Sequence, residues 1–405
     1  MIDVYTISVI LFFALLAVVI YIKRKNVDTK FVLKVLPYFM WRTKRFRDRV
    51  DQIAQAAPRF WKVFYSAGAV VAVVLMVFGF FMILNSNYLV FSGKITQPAL
   101  QILLPTPSTS VSTGPGFILI PFWFWIIAIG TILIPHELSH GIAARAEKIP
   151  LKSVGLLLFL IFPGAFVEPD EAKLKRAKLS TRLRVFAAGS FTNILTFSII
   201  LLIGTFFLFP SAAHGGTVIT SVFPGSPADN SGLKTGDTIE KFDGKDAKVS
   251  FFDYSMSYLL LMKNGTSEGQ LQRLGGLQTI SALSKHKPGE TLNIVVNGQE
   301  KQVVLGENTE LKGFPYIGIS TELKTENKAA FEVVLPILAL VALLNLFVGI
   351  VNILPLYPLD GGLFFQALAQ KFLPKRSEEI VKGLSYVILF LIIASVVGPY
   401  IFAAA

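Results

Sequence analysis

The chain has 405 residues, no cysteine and a net charge of +12; 53% of its residues are hydrophobic and only 16% charged. Soluble domains carry about 25% charged residues, so this balance, with a mean hydropathy of +0.60, excludes an ordinary soluble protein and points to a membrane one. Disulfides, thiolate metal ligands and cysteine nucleophiles are excluded outright.

A span needs about 20 mostly apolar residues. In chain order, 4–22, 66–85, 117–135 (running on helically through 146), 185–209, 333–353 and 383–403 qualify. The first has no positive charge in its leading MIDVY, and KRK follows it, so it is expected to remain as an anchor. Lys and Arg number twelve in 23–62, eight in 148–184 and four in 371–382, whereas the twelve in 211–330 are balanced by thirteen Asp and Glu. The basic excess therefore flanks apolar spans, as the positive-inside rule expects of cytoplasmic loops, and no nucleic-acid partner is expected. The predicted fold is a polytopic α-helical protein of about six transmembrane helices with an inserted soluble α/β domain, expected in the cell membrane with both termini and 211–330 outside.

One apolar run, SVGLLLFLIFPGAFV at 153–167, is too short to span and contains Gly155, Pro163 and Gly164. It reads as strand or re-entrant segments near the cytoplasmic face, because non-helical backbone survives at depth only when protein or water covers it. The segment 211–330 instead has short β-branched runs cut by Gly, Pro and Asp, the grammar of a soluble α/β domain. Over roughly 216–322 it resembles a PDZ domain, with PGSPA, SGLK and GD in order and YIGI at 316–319 placed like that fold's carboxylate-binding loop. That likeness implies a peptide C-terminus as a partner. Asn264-Gly265-Thr266 is a glycosylation sequon, and His214 and His286 read as surface histidines.

The stretch TILIPHELSHGIAARAE at 131–147 leads two histidines and a glutamate out of an apolar run. Ionisable groups at membrane depth cost about 2.5–3.5 kcal/mol each on insertion scales, so they are read as functional. Residues i and i+4 share one helix face, so His136 and His140 can bind one ion while Glu137 reaches a water beside it. A catalytic zinc takes three protein ligands. Asp360, in NILPLYPLDGGLFFQALA, is the clear third, its bland role being a helix N-cap. Zn²⁺ with ionised Glu137 and Asp360 sums to zero charge, which makes the loaded site far less costly to bury.

With HELSH at 136–140 and NILPLYPLDGG at 352–362, the chain resembles the site-2 proteases, intramembrane zinc metalloproteases. The resemblance covers about 117–403 and implies cleavage of transmembrane segments of membrane-anchored proteins. It implies Glu137 as the catalytic base, His136, His140 and Asp360 as zinc ligands, and an active site towards the cytoplasmic side. By the same resemblance Asn352 and Asn193 contact substrate backbone; their alternative is interhelical hydrogen bonding. Gly189-Ser190-Phe191-Thr192-Asn193 lacks the proline that the family often has there. The expected domains are 1–115 with two extra spans, 116–210 and 331–405 as halves of the catalytic core, and the extracytoplasmic 211–330. The competing class is a non-proteolytic membrane receptor whose PDZ-like domain reads ligands and whose zinc is structural. A zinc transporter would need acidic or histidine residues across several spans, which are missing.

Overall fold

The computed structural model describes residues 3–22, 27–32, 36–94, 101–109, 112–114, 117–159, 162–208, 216–247, 250–255, 275–276, 278–308, 312–325, 327 and 333–402. His214 and the Asn264 sequon lie outside the described residues. The chain forms two compact units: Met1–Phe197 with Leu344–Ala405, and Ser198–Leu343.

In the first unit, α1 (Val4–Ile22) leads to strands β1 (Val27–Val32) and β2 (Leu36–Arg42), then α2 (Lys44–Ala56) and α3 (Pro58–Phe91). A small sheet follows, β3 (Ile102–Thr106), β4 (Ser112–Gly114) and β5 (Phe117–Pro121), and then α4 (Phe122–Ala146). Next come the hairpin strands β6 (Leu151–Phe159) and β7 (Phe162–Pro169), α5 (Glu171–Arg176) and α6 (Leu179–Ile203). The chain leaves this unit within α6 and returns within α7 (Leu335–Asn352), to end in α8 (Asp360–Phe372) and α9 (Ser377–Phe402). Among the described residues, six helices are long and apolar enough to cross a membrane: α1, α3, α4, α6 with its continuation to Leu208, α7 and α9. They match the six apolar runs, because a backbone in lipid must satisfy its hydrogen bonds within its own segment.

The faces of α3 show how these helices pack. Val63, Val70, Val74, Phe78 and Phe81 are exposed, whereas Gly68, Ala72 and Gly79 are buried. Small residues face the neighbouring helices, where their backbones can approach, and large apolar ones are left for lipid. A β-carbon at Gly68 would lie 2.7 Å from the Phe191 ring, and one at Gly79 would lie 2.8 Å from Ile350.

Two boundaries differ from the sequence expectation. Residues 117–121 are strand, paired in parallel with β3 and antiparallel with β4, and helix begins only at Phe122. Pro121 explains the break, since a proline disfavours helical backbone in the residue before it. The basic stretch 23–62, read as a loop, contributes β1 and β2 to a four-stranded sheet of order β1-β2-β6-β7. The strands expected at 153–167 are therefore a hairpin within a larger sheet. β6 is flanked by β2 and β7, and only β7 presents a free edge on that side. Val154 accepts from Thr43 N at 2.9 Å and so faces β2. Its partner Val167 must then turn its N–H away from β6, and so must Ala165, because these groups alternate along a strand. Pro163 shares that outward parity, the side on which a missing donor costs no ladder bond.

The end of α4 is pinned to α3 and α6 by buried polar groups. Glu147 accepts from Arg184 Nε at 2.7 Å and from Thr181 Oγ1 at 2.9 Å, with Lys62 Nζ at 3.8 Å. Arg145 reaches back to Asp51 on α2 at 2.8 Å.

The second unit carries a sheet of order β12-β11-β9-β8-β15, where β8 is Thr217–Val222, β9 Thr238–Phe242, β11 Thr291–Val296, β12 Gln299–Val304 and β15 Ile319–Leu323. The two-residue β10 (Lys245–Asp246) pairs with β9, and β13 (Gly306–Glu307) pairs with β14 (Pro315–Tyr316). Alternating residues Leu292, Ile294 and Val296 of β11 join Ile219, Ile239, Val303 and Ile317 in one buried core. His286 Nε2 lies 2.8 Å from Asp243 Oδ2, an ion-pair geometry of this unit's surface.

Candidate metal centre

Three elements of the first unit meet at one point. α4 supplies His136 and His140, one turn apart, with ring centroids separated by 4.9 Å. α8 supplies Asp360 from its first residue. The N-cap of that helix is Leu359, so the capping role weighed for Asp360 does not hold, and its carboxylate is free to point elsewhere. Two glycines make this placement possible. A β-carbon at Gly361 would strike the carbonyls of Ile353 and Leu354, and one at Gly362 would lie 2.5 Å from Tyr357 N. The Asp-Gly-Gly sequence thus lets the first turn of α8 lie directly on the backbone of 353–357.

The donor atoms form a nearly equilateral triangle. His140 Nε2 is 3.3 Å from His136 Nε2, His136 Nε2 is 3.2 Å from Asp360 Oδ2, and His140 Nε2 is 3.1 Å from that same oxygen. Four tetrahedral ligands at zinc distances of about 2.0–2.1 Å stand about 3.3–3.4 Å apart, so these residues fit the ion. Among the described residues the His, Asp and Glu side chains that gather closely enough to hold a metal are these three. α6 makes room for them: a β-carbon at Gly189 would sit 2.5 Å from His136 Nε2 and against His140 Nε2.

Each imidazole is also held from behind. His140 Nδ1 lies 2.7 Å from the Val185 carbonyl of α6, and His136 Nδ1 lies 3.3 Å from the Asn193 amide. Ligating histidines commonly use the far nitrogen in this way to fix their orientation. Glu137, on the same helix, accepts from Val167 N at 3.1 Å and so stands at the free edge of β7. Asn352 is not among the residues that hold the imidazoles. It is half-buried at the last residue of α7, and its side chain has no hydrogen-bond partner among the described residues.

A family model described as Peptidase family M50 matches residues 124–394, from the start of α4 into α9. The chain belongs to peptidase family M50. This is the site-2 protease family to which the two motifs point, and the matched stretch contains both of them. A relative from Clostridium perfringens, named by inference as a zinc metalloprotease, is 27% identical over 66% of this chain and 94% of its own length. A similarly named protein of Campylobacter jejuni is 26% identical over 67% of this chain and 90% of its own. A membrane-bound transcription factor site-2 protease homolog of Arabidopsis thaliana is 27% identical over 57% of this chain, which spans 44% of that longer protein. This M50 member is a multi-pass membrane metalloprotease, and its cofactor is zinc.

Sequence reasoning had named His136, His140 and Asp360, and the structure brings those three together. The sequence pattern includes Gly189 only as the first residue of the stretch that carries Asn193, and it does not point to the Val185 carbonyl or the Val167 amide. The resemblance of 189–193 to the family's motif is the sequence signal for Gly189, but it does not show that the glycine makes room for the two imidazoles. Backbone groups leave no trace in a sequence, because every residue has them.

Proposed function

We propose that this M50 protease cuts peptide bonds within transmembrane segments of membrane-anchored proteins, with His136, His140 and Asp360 holding zinc and Glu137 as general base. The observation that carries this reading is the triangle of donor atoms, whose edges suit a tetrahedral ion and leave one position for reactants. When bound, zinc supplies Lewis acidity to the scissile carbonyl and acidifies water. Glu137 accepts the proton of the attacking water and returns it to the leaving amide nitrogen. Val185 and Asn193 orient the imidazoles. A three-residue donor set also counts against the receptor reading, because a structural zinc site is closed by a fourth protein ligand.

A membrane helix hides its carbonyls in its own hydrogen bonds, so the substrate must unwind before hydrolysis. The outer edge of β7 is a suitable receiver, since an added strand replaces the lost helical bonds. Its outward-facing donors are Ala165 and Val167, the second of which Glu137 accepts at 3.1 Å. Residues 211–330, within the second unit, are proposed as the PDZ-like domain. The turn at Tyr316-Ile317-Gly318-Ile319, where Gly318 has φ +83° before β15, supports that likeness. In this reading the domain is extracytoplasmic and acts as a size filter or a reader of an already cut end. Basic loops and zinc site lie towards the cytoplasm, and 1–115 is an added membrane region. Asn352, half-buried and unpartnered, is available to a substrate backbone.

The test separates catalysis from metal binding. Glu137→Gln is expected to abolish cleavage of a membrane-helix substrate while zinc stays near one per chain. Asp360→Ala should lose both, and Asp170→Ala, which removes only the cap of α5 at Lys173 N, should keep both. Full activity in Asp360→Ala would overturn the assignment.

A further inference from the structure

We infer that Asn193 is a positioning residue for zinc: its amide oxygen accepts from His136 Nδ1–H and so presents Nε2 to the metal. The inference rests on the metal reading above and departs from the family-derived expectation that Asn193 contacts substrate.

His136 Nε2 lies 3.2 Å from Asp360 Oδ2 and 3.3 Å from His140 Nε2, so it is the nitrogen available to the ion. A neutral imidazole carries one N–H, and a ligating Nε2 must contribute its lone pair. The proton then sits on Nδ1, which needs an acceptor. His140 meets the same need with the Val185 carbonyl at 2.7 Å. Among the described residues, no such carbonyl faces His136 Nδ1. What stands beside its Nδ1, at 3.3 Å, is the Asn193 amide through Nδ2.

Asn193 is fully buried, and its Oδ1 has no hydrogen-bond partner among the described residues. Leaving a buried acceptor unsatisfied costs its full desolvation penalty. A half-turn of the amide resolves both demands, bringing Oδ1 to the place of Nδ2 and against Nδ1–H. Asn193 thus has the acceptor that the tautomer requires and a buried atom that lacks any other use. Its position on α6, one turn beyond Gly189, serves this purpose, because Gly189 lets the helix come close enough for the side chain to reach the ring.

Zinc affinity of the full chain in detergent, measured by competition with a chelator, tests the inference. Asn193→Ala should weaken zinc binding about 10–100-fold, the usual cost of losing a partner of a ligating histidine. Asn193→Asp, nearly isosteric and a better acceptor, should restore affinity, and Asn193→Leu should not. KM for a membrane-helix substrate is measured in parallel at saturating zinc. Wild-type zinc affinity in Asn193→Ala, alongside zinc loss in His136→Ala, would overturn the inference and leave the metal reading standing. A raised KM with unaltered zinc affinity would do the same and return Asn193 to a substrate role. Zinc retained by His136→Ala would overturn the metal reading and this inference together.

Discussion

Gly189 bears no functional group, yet it controls whether the metal centre can form. Any side chain there would displace the two imidazoles, since its β-carbon would stand 2.5 Å from His136 Nε2. Gly189→Ala is therefore expected to cut zinc content severely while the protein remains folded by thermal unfolding in detergent. Gly130 lies on α4 with nothing within 4 Å of its absent β-carbon. Gly130→Ala should keep zinc and gain up to about 1 kcal/mol of helix propensity. Wild-type zinc content in Gly189→Ala would contradict the close approach of α6. At this scale the sequence was unevenly legible. His136, Glu137 and His140 announce themselves because helical spacing is local and charges in an apolar run are costly. Asp360 stands out for the same reason. Gly189 is one of 31 glycines; its place in the motif-like stretch 189–193 marks it, but its role is visible only from the imidazoles it meets in space.

Among the elements, β7 decides how an unwound substrate could be received. Proline at Val154 or Leu158 is not an informative probe of an edge, because β6 is hydrogen-bonded on both sides. The informative site is Ala165, whose N–H faces outward by the same parity as Val167. Ala165→Pro should slow cleavage of a membrane-helix substrate several-fold while zinc stays bound. Phe166→Pro, on the inward parity opposite Gly155, should instead destabilise the sheet and lower the unfolding temperature. Unchanged cleavage in Ala165→Pro would remove β7 as the docking edge. The hairpin itself could be anticipated from its length and its glycines and proline. Its place in the sheet could not, because β2 comes from a stretch more than a hundred residues earlier in the chain, and pairing over that distance follows no local pattern.

For the whole molecule, the distribution of basic residues predicts sidedness. Arg176→Cys and Arg376→Cys are expected to label from the cytoplasmic side only, and Glu300→Cys from the opposite side only; all three positions are exposed. The chain has no native cysteine to interfere. Labelling of Glu300→Cys from the cytoplasm would place the second unit inside and end the proposal of an external filter. By itself the sequence determined the six spans and the two halves of the metal motif. Hydropathy over about 20 residues and spacing over one helical turn are properties of a single segment, and lipid leaves an apolar segment few alternatives to helix. The tertiary structure alone decided the rest: that Asp360 completes a triangle with α4, that Gly189 leaves space for it, that Asn193 backs His136, and that β7 keeps the free edge. Each of these is a distance between segments far apart in the chain, set by how the helices and strands pack.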